Sequence, residues 1–194
     1  MNFEPDHFCH VYSRGNNRQQ TFFTAQHYLY FIRKIREQIA PHCELLAYCL
    51  MPNHFHLLLF ATPSSVGAGP VRSQPLIRGI GAAISFYSQG LNKERDNTGS
   101  VFQNKTKAKF LLDSVVVHTC FHYIHQTPVR AGLTGTLAEW SYASYRDYAG
   151  LRSGTLCNHR RASELLDLPA TPADFVRESQ LILDPDRVRP AWYL

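Results

Sequence analysis

Apolar positions recur at two periods along the chain, and the change from one period to the other marks out its elements. Phe8 to Ser13 (FCHVYS) reads as a short strand, followed by the polar, basic turn RGNNRQQ with Gly15. Thr24 is a suitable N-cap, and Tyr28, Leu29, Phe31, Ile32, Ile35 and Ile39 then return at helical spacing until Pro41 closes the segment. Cys43 to Leu50 and Phe55 to Ala61 predict two strands joined by the turn MPN, because Pro52 cannot serve a central ladder and Asn53 favours turns. After a Pro-, Gly- and Ser-rich loop from Thr62 to Gln74, a second amphipathic helix carries Leu76, Ile77, Ile80, Ala83, Ile84, Tyr87 and Leu91 on one face.

Residues 101–110 (VFQNKTKAKF) alternate as a strand does, with Lys105, Lys107 and Lys109 on one face and Phe102 and Phe110 on the other. Asp113 then caps a third helix that runs to about Gln126, ahead of Pro128. The first six elements make an α+β, ferredoxin-like (RRM-like) βαββαβ arrangement, an antiparallel sheet with helices on one face and an added C-terminal helix carrying Tyr123. Residues 1–150 form the expected domain. Residues 151–194 read as a polar, Pro-rich tail with one helical candidate, Ala173 to Ile182, and the ending RPAWYL.

A length of 194 residues suits one domain with a proper core. The five cysteines are odd in number, scattered and without CxxC spacing, which argues against a disulfide framework or a zinc ribbon and for a reducing, cytoplasmic setting. The N-terminal stretch has no apolar h-region and the greasiest segment is broken by Pro52, Asn53 and two histidines, so neither secretion nor membrane insertion is supported. The formal charge of +5 and pI near 9.0 lean towards a polyanionic partner.

The chemistry is concentrated in CLMPNHFHLLLF. On a strand, His54 and His56 present their rings on one face while Phe55 points to the other, a two-point grip for a divalent metal ion. An isolated HxH also fits two structural histidines. On the third helix Val117, Cys120, Phe121 and Ile124 fall on the buried side, and Tyr123 lies on its flank with Val116, Thr119, Gln126 and Thr127. Tyr123 is either a half-buried boundary aromatic or a phenol aimed at the sheet face where metal and phosphate would meet. The lysine row follows a phosphate backbone or protects a solvated sheet edge. Arg14, Arg18 and Arg130, in polar turns, extend the basic surface.

Five stretches taken together resemble a known family: HVYSRGNNRQQTFF (10–23), AYCLMPNHFHLLLF (47–60), GSVFQNKTKAKF (99–110), YIHQTPVRAGL (123–133) and WSYASYRDYAG (140–150). In this order they are similar to the single-tyrosine HUH transposases, and within them to the REP-associated tyrosine transposases of bacteria. The resemblance implies a mobile-element enzyme that nicks single-stranded DNA at REP-like hairpins, in the cytoplasm on the nucleoid, as a monomer or homodimer. It implies that His54 and His56 hold one Mg²⁺ or Mn²⁺ and that Tyr123 attacks the phosphate to give a 5′-phosphotyrosine link. The third ligand in the family is usually Asn, or Gln in relatives, four residues after the tyrosine. Here that position is Thr127, with Gln126 beside it, and helical spacing lets either share a face with Tyr123; His10 is a further candidate. Candidate DNA contacts are Arg14, Asn17, Arg18, Lys105, Lys107, Lys109 and Arg130. The alternative is a domesticated, catalytically weak hairpin-binding protein of the same fold. A two-metal hydrolase is disfavoured, since HFHLLLF lacks the acidic residue of an HxHxD site.

Overall fold

The computed structural model describes residues 1–181. Four strands, β1 (Phe8–Arg14), β2 (Cys43–Met51), β3 (His54–Ala61) and β4 (Lys107–Leu111), form one antiparallel sheet in the order β2-β3-β1-β4. The described helices are α1 (Ala25–Gln38), α2 (Pro63–Val66), α3 (Pro75–Glu94), α4 (Ser114–Arg130), α5 (Tyr145–Tyr148), α6 (His159–Leu166) and α7 (Pro172–Leu181).

Helices cover both faces of the sheet, not one as the sequence pattern predicts. Cys9, Val11, Leu45, Tyr48, Leu50, Phe55, Leu57 and Leu59 pack with Phe31 and Ile35 of α1 and Ile80 and Tyr87 of α3. On the opposite side Leu46, Ala47, Cys49, Met51, Leu58 and Phe60 meet Val117, Cys120, Phe121 and Ile124 of α4, with Ala162 and Leu166 of α6 and Phe175 of α7. Strands whose successive residues are all apolar need cover on both sides, which is why β2 and β3 read as unbroken greasy runs. A bulge in β2 between Leu45 and Ala47 resets its alternation, so Leu46 and Ala47 both enter the second core.

The region beyond Gly150 is part of this packing. Leu156 and Cys157 enter the first core, and α6 and α7 enter the second. Helix α7 matches the helical candidate up to Leu181, while Ile182 and the RPAWYL ending lie outside the described residues. The stretch WSYAS covers the outer edge of β2: Leu50 N–H donates to the Tyr142 carbonyl at 2.9 Å and Ser144 N–H to the Tyr48 carbonyl at 3.0 Å. The Asp147 carboxylate, its side chain 1% exposed, accepts two guanidinium bonds from Arg152, whose Nη2 also donates to Tyr48 OH at 3.0 Å, fixing this segment to the sheet.

Two boundaries differ from expectation. The strand expected over 101–110 is confined to Lys107–Leu111; Phe102 makes one bridge to Gly15 and buries its ring in the first core, and residues 104–106 leave the ladder. Helix α4 passes through Pro128 and ends at Arg130. Proline sits in the last turn, where only one intrahelical bond is forfeited and the Ala131 N–H still reaches the Thr127 carbonyl.

Candidate active site

Directly paired residues of neighbouring strands share a face, so the register decides what surrounds the histidine pair. Tyr12 of β1 lies opposite His56 on one side and Lys107 on the other; Arg14 lies opposite His54, and His10 opposite Lys109. His10, Tyr12, Arg14, His54, His56, Lys107 and Lys109 therefore all project from the face that α4 covers. Tyr123 descends onto it from α4, its ring 5.8 Å from that of His56 at 82°. The rings of His54 and His56 are 5.0 Å apart at 90°.

Each imidazole of the pair uses the same nitrogen internally. His56 Nδ1 is 2.9 Å from His10 Nε2, and the two rings stack at 5.1 Å. His54 Nδ1 is 2.6 Å from Asn53 Oδ1, which only accepts, so the proton sits on Nδ1 of His54. The remaining nitrogen of His56, Nε2, is buried with no hydrogen-bond partner. An orphaned buried acceptor costs about 1–3 kcal/mol unless something binds it. A neutral imidazole anchored through Nδ1 with Nε2 facing an open position is the arrangement of metal-binding histidines.

Burial keeps these rings neutral. Desolvation, with Arg14 nearby, takes His54 down to about 4. Desolvation and Lys109 take His10 down to about 3. His56 is pushed well below the usual range by desolvation, then by His10 and His54. Neutral rings are ready to ligate without first losing a proton. The residues present thus fit a divalent ion on His54 and His56.

The surroundings are electropositive. Arg14 Nε is buried with no hydrogen-bond partner, a donor available to an anion, and Lys107 Nζ sits 5.8 Å from the centre of the Tyr12 ring. Asn17 and Arg18 lie in an exposed turn tied to the β2–β3 hairpin, where Gly15 N–H donates to the Asn53 carbonyl at 2.7 Å and Asn53 Nδ2 to the Arg18 carbonyl at 3.3 Å. Lys105 is exposed before β4, and Arg130 is exposed at the C-terminus of α4, beside a groove formed with Leu137, Tyr145 and Val176.

The two residues offered for the third ligand make other contacts. Gln126 Nε2 donates to the Ser179 carbonyl of α7 at 2.8 Å, and the Thr127 hydroxyl donates to the Tyr123 carbonyl at 2.8 Å. Neither contact runs to the histidines. The sequence pattern also left unnoticed a second group, His118 and His122 of α4 with Glu178 of α7. The i, i+4 histidines were visible in HTCFH, but nothing local announces that Glu178 arrives from sixty residues downstream, roughly the chain length needed to build α5 and α6 first.

No family model and no curated sequence matches the chain. Among solved structures, the fold is similar to that of a REP-associated tyrosine transposase bound to a REP hairpin, with a TM-score of 0.56 and 16% identity, covering 81% of this chain and 92% of the other. The two proteins share a fold. No described helix is long and apolar enough to cross a membrane.

Proposed function

We propose that the protein is a metal-dependent single-stranded DNA endonuclease and strand transferase of the single-tyrosine HUH type, acting beside REP-like hairpins through a 5′-phosphotyrosine link. In this reading the strand order β2-β3-β1-β4 with α1 and α3 is a ferredoxin-like core, and α4 is the added helix that brings the tyrosine. The observation that carries it is the buried, partnerless Nε2 of His56 beside the Tyr123 ring. The fold shared with a hairpin-bound transposase is its second support.

An ion on His54 and His56, with Gln126 or Thr127 turned towards it as a third ligand, would supply Lewis-acid polarisation of a non-bridging phosphate oxygen. Arg14, Lys107 and Lys109 hold the strand by its phosphates on the same face. The Tyr123 phenol gives up its proton and its oxygen bonds to phosphorus; the bond to the 3′ oxygen breaks, leaving a free 3′-OH. A 3′-OH from another strand then attacks the phosphotyrosine and releases Tyr123. One phosphodiester is exchanged for another, so no nucleotide cofactor is consumed.

The engagement of Gln126 and Thr127 elsewhere favours the second reading, a domesticated hairpin binder in which the ion is poorly held. Incubating the protein with labelled single-stranded hairpins, with Mn²⁺ or EDTA, separates the two. The transferase gives a cleaved strand and a denaturant-resistant protein–DNA band with Mn²⁺ alone, both lost in Tyr123→Phe. Binding without cleavage across the host's repeat hairpins would establish the binder.

A further inference from the structure

Helix α7 meets α4 at a convergence of three metal-binding side chains. Glu178 Oε1 lies 2.9 Å from His118 Nε2 and 3.0 Å from His122 Nε2, and the two imidazoles are 4.7 Å apart at 56°. His122 is fully buried and stacks on Phe175, which fixes its ring, while the side chains of His118 and Glu178 are 31% and 29% exposed and leave an approach from solvent. In a tetrahedral zinc site with ligand bonds of about 2.0–2.1 Å, donor atoms stand about 3.3 Å apart. Glu178 Oε1 needs to part from each imidazole nitrogen by only a few tenths of an ångström to reach that spacing, and all three donor atoms lie within 4.8 Å of one another.

We propose that His118, His122 and Glu178 bind a zinc-class transition-metal ion that fastens α7 across α4, with a fourth position open to water. Two imidazoles and one carboxylate are a donor set that suits zinc, cobalt or nickel. The site is distinct from the histidine pair of β3, on another flank of α4. Its ion reinforces the same seam that the bond from Gln126 to the Ser179 carbonyl joins one residue further along α7. The helix carrying Tyr123 is thereby held by its outer partner.

The full chain, freed of metal, is titrated with Co²⁺, whose visible absorption reports tetrahedral N/O coordination, and then with Zn²⁺ in competition. Wild type is compared with Glu178→Gln, His118→Asn and, for the other site, His54→Asn. Glu178→Gln keeps an oxygen to accept from both histidines, and circular dichroism checks that each variant is folded. Glu178→Gln and His118→Asn are expected to weaken one zinc equivalent about tenfold or more and to abolish the zinc-induced rise in thermal midpoint. His54→Asn retains both. Zinc affinity unchanged within about twofold in the folded Glu178→Gln and His118→Asn proteins, or lost only in His54→Asn, would overturn the site and leave the cluster as a hydrogen-bonded clamp.

Discussion

In each imidazole of the β3 pair Nδ1 is engaged within the protein, and in the proposed function Nε2 is the nitrogen that takes the metal ion. His10 matters because its Nε2 is hydrogen-bonded, at 2.9 Å, to Nδ1 of the fully buried His56. His10→Phe removes that partner at similar ring bulk, so Mn²⁺ affinity, read by calorimetry, should fall about 10- to 100-fold while hairpin binding in EDTA persists. Unchanged Mn²⁺ affinity would mean that His10 does not orient the ligand. Lys107→Ala should weaken single-stranded DNA binding for all sequences and lower the slope of log affinity against log salt by about 0.7; an unaltered slope would remove Lys107 from the interface. The HxH spacing and the alternation of Lys107 and Lys109 were legible in the sequence because strand period two is strict, whereas Lys105, expected on the same face, lies before β4 and outside the ladder. The bond from His56 to His10 was not, since pairing of β1 with β3 joins residues 46 positions apart.

Among the elements, α1 and α3 approach closely where α3 has no side chain. A Cβ added at Gly79 would meet the Gln38 carbonyl oxygen at 2.0 Å. Gly79→Ala must push the helices apart, and chemical denaturation should show a loss of about 1–3 kcal/mol despite alanine's better helix propensity; equal or greater stability would mean that the contact relaxes freely. The amphipathic stripes made α1 and α3 easy to read. Helix α6 escaped because HRRASELL is short and mostly polar and its limits lie in local detail, an Asn158 side chain accepting from Arg161 N–H and Asp167 in the left-handed region. The full length of α4 escaped because Pro128 reads as a stop, although the last turn tolerates it.

The whole molecule folds around a set of neutral histidines, and this has a pH signature. Burial holds His10, His54, His56, His122 and His125 below the ordinary value of 6.5. In the unfolded chain these rings take up protons once the pH falls through about 6.5, whereas the folded chain refuses them. Their contribution to stability is therefore complete above that pH and is lost as the pH drops towards the folded values, by about 1.4 kcal/mol per unit for each ring that charges only on unfolding. In EDTA the thermal midpoint should be level between about pH 7 and 8 and fall steeply from 6.5 to 5; a flat profile down to pH 5 would show that the rings charge within the fold. The two-sided burial of the sheet, the largest departure from the pattern, was written in the unbroken apolar runs of β2 and β3, but which helices supply the second cover depends on how residues 151–181 return to the sheet. In the proposed function Tyr123 is the residue that takes up DNA. After reaction with a hairpin strand in Mn²⁺ and nuclease trimming, mass spectrometry of the trypsin-released segment 110–130, in which Tyr123 is the sole tyrosine, tests it most directly: the account predicts a nucleotide phosphate on Tyr123, and an adduct mapped to another segment, or none on cleaved DNA, would contradict it.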